Sequence, residues 1–301
     1  MNTLSIWWLT IRPKTLSISV APVLLGSALA WHDLNSFSFL TFLIILLSAL
    51  CIQIGTNLYN DAADFEKGAD TKERLGPKRA AQQGWLNSQQ IKSGAFVSFS
   101  LAFLAGIYLA WLGGPAIIIL GLISILCGYA YTAGPKPIAY SPLGEVFVLL
   151  FFGFAAVGGT YYLQTLSLNL SVIIASSSIG CLASAILLVN NYRDLDGDRK
   201  ANKLTLVHYI ERPMARLVYS AMILYPYILL FLLISNYSWL ILLPLLSLPL
   251  AIKLIRFFLS QEISSQLNQV LAQTAQLQLI YTVLLSLALI IETLLPGSPD
   301  V

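Results

Sequence analysis

The sequence predicts an all-α integral membrane protein, with nine transmembrane helices in a bundle around a central cavity and a cytoplasmic N-terminus. Three observations predict it. Hydrophobic residues fill 57% of the 301 positions and charged residues only 10%, where a soluble domain carries roughly a quarter charged. The apolar residues fall into nine runs of about 17–23 residues, the length that crosses a hydrocarbon core of about 30 Å. All 17 Lys and Arg residues fall on one side of those runs. Cytoplasmic connections retain positive residues, so this placement sets both the number of spans and their orientation.

Taken in order, Arg12 and Lys14 precede the first span, residues 15–31, and a connection without cations around Asp33 leads to the second, 39–59. Lys67, Lys72, Arg74, Lys78, Arg79 and Lys92 separate it from the third, 91–112. Gly113 marks the turn into the fourth, 115–131, and Lys136 lies before the fifth, 143–163. The cation-free stretch around Leu168 leads to the sixth, 171–191, which runs into Arg193, Arg199, Lys200, Lys203, Arg212 and Arg216. The seventh, 215–233, turns at Asn236 into the eighth, 237–257, whose end carries Lys253 and Arg256. The ninth, 270–292, places the C-terminus outside. The whole chain, 1–301, reads as one transmembrane domain.

Trp7, Trp8, Trp31, Trp111, Tyr161, Tyr162, Tyr237 and Trp239 lie near span ends, as an interfacial aromatic belt does. Arg12 and Lys14 followed by an apolar stretch and Ala28-Leu29-Ala30 imitate a secretory leader. Pro13 and Pro22 suit such a leader poorly, and the charge pattern is complete with an uncleaved first span, which is therefore expected. Cys51, Cys127 and Cys181 sit inside apolar runs without nearby His. They read as small buried hydrophobes, with no disulfide or zinc site.

Two basic connections also carry carboxylates, and chemistry is expected there. The first cluster holds Asn57, Asn60, Asp61, Asp64 and Asp70, with Gly68 expected to break the helix and let Asp70 fold back. Asn57 and Asp61 are four apart, as are Asn60 and Asp64, so a helix gathers them at its cytoplasmic end. The second cluster repeats the pattern with Asn190, Asp194 and Asp198. Carboxylates crowded at a membrane boundary repel one another and are poorly solvated. A hard divalent cation relieves both problems, and Mg²⁺ favours a few carboxylates together with phosphate oxygens. Lys and Arg beside such a cluster suit a polyanion, diphosphate above all. A diphosphate site at a membrane boundary implies a substrate with a polar head and an apolar tail.

The chain resembles the UbiA superfamily of membrane prenyltransferases over essentially its whole length, and within it the 1,4-dihydroxy-2-naphthoate prenyltransferase branch. Four stretches carry the resemblance: Arg12-Pro13-Lys14-Thr15; Asn60-Asp61 through Arg74-Leu75-Gly76-Pro77-Lys78-Arg79; Tyr131-Thr132-Ala133-Gly134-Pro135-Lys136-Pro137 with Leu143-Gly144-Glu145; and Asn190-Asn191-Tyr192-Arg193-Asp194. One departure is Gly68, where many members carry a third Asp; Asp70 is offset by two, a pattern associated with the naphthoate branch. The resemblance implies transfer of a polyprenyl group from polyprenyl diphosphate to 1,4-dihydroxy-2-naphthoate, with loss of CO₂ and pyrophosphate, as in menaquinone synthesis.

It further implies Mg²⁺ held by Asn60, Asp64, Asn190, Asp194 and Asp198, with Asp61, Asp64, Asp194 and Asp198 as the catalytic carboxylates. Arg74, Lys78, Arg79, Arg193 and Lys203 are expected to grip phosphate or the naphthoate carboxylate. Tyr131 either stabilises the allylic cation with its ring face or caps the fourth span. The remaining expected partner is membrane lipid, not nucleic acid. The expected location is the plasma (inner) membrane, crossed several times, with the site facing the cytoplasm. Arg12 and Lys14 are read as topology signals, His32 and His208 as surface residues without partners, and Glu145 as an ion-pair partner of Lys136. Asn268 and Gln276 either line a polar cavity or join helices.

Two other functions compete. A transporter of divalent cations or phosphorylated lipids would place its binding groups near mid-membrane, whereas these carboxylates gather at one face. A related prenyltransferase acting on 4-hydroxybenzoate, homogentisate or haem would share every feature except the acceptor.

Overall fold

The first four helices begin where local chemistry starts one. A computed structural model gives the structure of residues 2–68 and 74–295; Asp70 and Lys72 lie outside these described residues. Helix α1 (Thr3–Thr10) starts at Asn2, whose side chain accepts from the Ser5 amide at 2.8 Å. Arg12 then adopts φ 57°, uncommon for a residue with a Cβ. Pro13 opens α2 (Pro13–Leu34), where a fixed φ and a missing N–H cost nothing. Ser38 caps α3 (Phe39–Glu66), and an Asn87/Gln90 capping box opens α4 (Ser88–Ala130).

Helix α4 is bent. Gly114 sits at φ 66° and ψ −155°, conformations open only to glycine at low strain, and Pro115 starts the second arm. The third and fourth expected spans are these two arms.

The next span, Gly144–Thr165, is continuous but changes pitch: α5 (Gly144–Val148), a π-helical stretch Leu149–Gly158, then α6 (Gly159–Thr165). It is followed by α7 (Leu170–Lys200) and α8 (Leu206–Leu233). A 3₁₀ segment, Trp239–Ser247, runs into α9 (Leu248–Ser260), and α10 (Leu267–Leu294) completes the set. Among the described residues, eight segments are long and apolar enough to cross a membrane, with bent α4 counted as one.

The most buried of these is α7, and α10 packs beside both α7 and α2. Large apolar side chains such as Phe96, Trp111 and Leu246 point outward, as they must where the solvent is lipid. Glycines allow the closest crossings. A Cβ on Gly153 would lie 2.5 Å from the Ser176 carbonyl oxygen, one on Gly180 2.6 Å from that of Leu149, and one on Gly26 2.5 Å from that of Val157. The π-helical stretch is thus clamped between α2 and α7 at backbone contact, the small-residue packing common in membranes.

At the end opposite the acid clusters, Asp33 accepts from Tyr161 at 2.6 Å and Asn169 at 2.9 Å. His32 lies 3.0 Å from Asp33 and 3.8 Å from Glu292, which also accepts from the Ser238 amide and hydroxyl. His32 is therefore part of a polar seam joining α2 to α10, contrary to the solitary surface role expected of it. His208 also has a partner, accepting from Arg199 Nε at 3.2 Å.

Candidate active site

Both acid clusters ride on helices that continue past the apolar run: the last turns of α3 carry Asn57 to Asp64, and those of α7 carry Asn190 to Asp198. On α3 the two i,i+4 pairs make different contacts, although Asn57 and Asn60 line the same cavity. Asn57 donates to the Ile11 carbonyl at 3.1 Å and the Thr15 hydroxyl at 3.3 Å. Asp61 is buried and accepts from the Ala80 and Ala81 amides at 3.1 and 3.3 Å. Asp61 thus holds the following loop in place rather than joining the other carboxylates, contrary to its expected catalytic placement. Asn60 and Asp64 point to the site. Asp64, only 2% exposed, accepts from Arg79 Nη1 at 2.8 Å and from the Tyr140 hydroxyl at 2.9 Å. The Asn60 Oδ1 is buried with no partner.

On α7, Arg193 is a bracket. It donates to both Asp194 oxygens at 2.7 and 2.5 Å, to Asn190 Oδ1 at 2.8 Å and to Asn268 Oδ1 at 2.6 Å. The Asn268 amide in turn donates to the Leu75 carbonyl at 2.9 Å, tying the first basic loop to the second cluster. Arg193, expected as a substrate-gripping cation, is occupied in binding the protein to itself. A Cβ on Gly76 would fall within 2.9 Å of both the Arg74 and Arg193 guanidinium groups, so the two side chains close over the loop at that point.

The two clusters meet through Lys203 and Tyr140. Lys203 Nζ lies 3.4 Å from Asp198 Oδ1 and 5.8 Å from the Tyr140 ring centre, and Tyr140 reaches Asp64. Burial, then the charge of Asp64, pushes the Tyr140 hydroxyl far above the ordinary tyrosine value, so it stays a donor. Lys67 Nζ also lies over that ring, 4.7 Å from its centre. Lys78 is exposed, away from this convergence.

Asn60 and Asn190 line one cavity of about 230 Å³, together with Arg12, Arg79, Tyr131 and Lys203. A second, apolar cavity of about 160 Å³ shares Ile52, Gln53, Ser124, Phe151 and Phe152 with it and extends towards Val23, Leu109 and Leu163. The site therefore has a charged mouth and a greasy interior. Tyr131 does two things at once: it caps α4 and forms cavity wall.

Three residues escaped the sequence reading. Arg12, assigned to topology, lines the cavity, and its Nη2 is buried without a partner. Burial, then repulsion from Arg79 and Arg74, lowers its pKa from the ordinary arginine value, with Asp61 and Asp64 opposing. Its signal was present in the Arg-Pro-Lys-Thr stretch. Tyr140, in the loop that begins with Gly134-Pro135, gave no signal of its own. Glu145 does not pair with Lys136, which is exposed; it is buried and accepts from Asn191 Nδ2 at 2.9 Å. Gln276 is exposed and lines no cavity.

Among the described residues, no three His, Cys, Asp or Glu side chains converge into a protein-only metal cage. The oxygens present suit Mg²⁺ of another kind. Asn60 Oδ1 and Asp198 Oδ2 are buried and unpartnered, and Mg²⁺ takes one or two carboxylates and completes its shell with phosphate and water.

Comparison with known proteins agrees with this geometry. Residues 19–271 match the UbiA prenyltransferase family. The chain is 36% identical to the 1,4-dihydroxy-2-naphthoate octaprenyltransferase of Haemophilus influenzae, over 96% of both chains. It is 33% identical to the enzyme of that name from Escherichia coli, over 95% of both. The structure of a UbiA homologue from Archaeoglobus fulgidus bound to DMAPP and Mg²⁺ superposes with a TM-score of 0.65 at 13% identity, covering 93% of this chain and 99% of that one.

Proposed function

This chain belongs to the UbiA prenyltransferase family, and we propose that it transfers a polyprenyl group from polyprenyl diphosphate to 1,4-dihydroxy-2-naphthoate. CO₂ and pyrophosphate leave, and demethylmenaquinol forms, a step of menaquinone biosynthesis. The observation that carries this reading is that Asn60 and Asn190, one from each acid cluster, open on a single cavity with a charged mouth and an apolar depth. A diphosphate with a hydrocarbon tail matches that polarity end for end.

Arg12, Arg79 and Lys203 supply cations for the diphosphate oxygens, and charge-assisted bonds of this kind are the strong ones. Asn60, Asp64, Asp194 and Asp198 are the residues that would hold Mg²⁺. When bound, Mg²⁺ neutralises the charge that grows on the departing pyrophosphate. The tail enters between Ile52, Phe151 and Phe152, which keep water from the allylic carbon. Heterolysis of the C–O bond leaves an allylic cation beside the Tyr131 ring, whose face favours positive charge. The carboxylate-bearing ring carbon of the acceptor attacks this cation. Its bond to the carboxylate then breaks, CO₂ departs, and the electron pair returns to the ring. The cations of the basic loops support a site that faces the cytoplasm from the inner membrane.

The test is product analysis by mass spectrometry. Purified protein in detergent or vesicles receives a polyprenyl diphosphate, magnesium and, in separate reactions, dihydroxynaphthoate, 4-hydroxybenzoate or homogentisate. Prenylated, decarboxylated naphthoquinol is expected with the first acceptor. Product with another acceptor only would overturn the acceptor assignment, and magnesium-dependent ion flux without any product would overturn the enzyme.

A further inference from the structure

Asn191 stands beside the acid cluster but belongs to neither the metal set nor the cation set. It is 3% exposed, lines the cavity, and its Nδ2 donates to Glu145 Oε1 at 2.9 Å. Glu145 is itself 2% exposed. The Ser184 hydroxyl pins its backbone carbonyl at 2.7 Å, which fixes the carboxyl at the start of α5. A carboxylate oxygen can only accept, so it selects which end of the Asn191 amide faces it. The nitrogen turns towards Glu145, and the carbonyl oxygen is left for the cavity. No donor among the described residues reaches that Oδ1. Close by, Glu145 Oε2 is also buried without a partner.

An acceptor-only group in this wall has a definite chemical preference. It repels phosphate and carboxylate oxygens, which the neighbouring Arg12, Arg79 and Lys203 attract. It binds a hydrogen-bond donor, and of the two substrates only the aromatic acceptor brings one, a phenolic O–H. We propose that Asn191 Oδ1 recognises a ring hydroxyl of the acceptor and that Glu145 is the positioning residue that keeps this oxygen facing the cavity. This deepens the reading above and rests on it: the same site would select hydroxylated aromatic acceptors over their ethers. A bond to a phenolic hydrogen also leaves more electron density on the ring carbon that attacks. No proton need leave the hydroxyl, because loss of CO₂ restores the aromatic ring by itself.

The expected discrimination follows from burial. A site built to bond a hydroxyl leaves polar groups unpaired when the hydroxyl is missing, so wild type should bind 1,4-dihydroxy-2-naphthoate at least about tenfold more tightly than its 4-methoxy ether. Two variants test the assignment. Glu145→Gln keeps the volume but lets the two amides pair in either orientation, which frees Asn191 to turn its NH₂ outward. Asn191→Ala removes the carbonyl. Both should raise the Michaelis constant for dihydroxynaphthoate, by about threefold and about tenfold respectively, and both should erode preference over the ether. The Michaelis constant for polyprenyl diphosphate and the magnesium midpoint should stay in place. A merely structural role would lower folded yield and turnover with both acceptors together, without touching the hydroxyl-to-ether ratio.

An undiminished ratio in both variants overturns the inference while leaving the enzyme assignment standing. A shifted magnesium midpoint in Asn191→Ala also overturns it, making the carbonyl a metal ligand instead. Wild-type protein that turns over no dihydroxynaphthoate refutes the assignment itself, and the inference falls with it.

Discussion

The Tyr140 hydroxyl donates to Asp64 Oδ1 at 2.9 Å, a bond between a loop and the end of α3 that stand 76 residues apart. With Arg79 on the other oxygen, it leaves the Asp64 carboxylate oriented from two sides. The loop between α4 and α5 is thereby part of the site and not a mere connection. Tyr140→Phe keeps the ring under Lys203 and removes only the donor. Turnover should fall about tenfold, the scale of one hydrogen bond to a charged group, with folded yield unchanged in detergent.

The two aspartates of α3 should separate in their effects. Asp64→Asn and Asp194→Asn each remove negative charge from the diphosphate site, and turnover measured with labelled prenyl diphosphate should drop on the order of 10³-fold. Asp61→Asn leaves one of the Ala80 and Ala81 amides facing an NH₂ group. It should lower stability by about 1–3 kcal/mol, read as an earlier thermal midpoint. Equal losses of turnover at normal stability for Asp61 and Asp64 would contradict this division.

Arg12→Gln is expected to raise the Michaelis constant for polyprenyl diphosphate between about tenfold and a hundredfold, as loss of one charge-assisted bond implies. Lys14→Gln, two residues on and exposed, should leave that constant alone. Steady-state kinetics on the pair separates substrate binding from membrane topology, because both substitutions alter the topological charge equally.

Gly153→Val should be destabilising by about 1–3 kcal/mol or more through overpacking, since even a Cβ meets the Ser176 carbonyl at 2.5 Å. Thermal unfolding of the purified protein checks it. Gly121→Val offers the control, because nothing lies within 4 Å of its Cβ, and its midpoint should move little.

Chelation provides the metal test. Treatment with a chelator should abolish prenyl transfer, and magnesium should restore it. Activity that survives exhaustive chelation would remove Asn60 and Asp198 from the role assigned to them.

Much of this was legible because membranes impose long-wavelength rules. Apolar run length and one-sided cations predict spans without any knowledge of packing, and the repeated Asn-x-x-x-Asp spacing marks both helix ends that the fold brings to one cavity. Facing within a cluster was not legible. Asn57 and Asp61 share the spacing of Asn60 and Asp64, yet a rotation of about 100° per residue turns them to the N-terminal segment and the loop. Arg12 was masked because topology and anion binding use the same side chain. Sequence proximity pairs Glu145 with Lys136, whereas the fold brings Asn191 to it from 46 residues away. The π-helical pitch of Leu149–Gly158 depends on the clamp between α2 and α7, which periodicity does not reveal.

The seam between α2 and α10 joins the chain's first membrane helix to its last. Leu271, on α10, belongs to the wall of the charged cavity, and Asn268 holds Arg193 in place. During translation, then, a nascent protein owns nearly all its charged groups while still lacking the wall that encloses them. The cavity gains its Leu271 wall, and Arg193 its Asn268 partner, only once the ribosome has delivered α10, so the charged groups are made before two of the contacts that frame them.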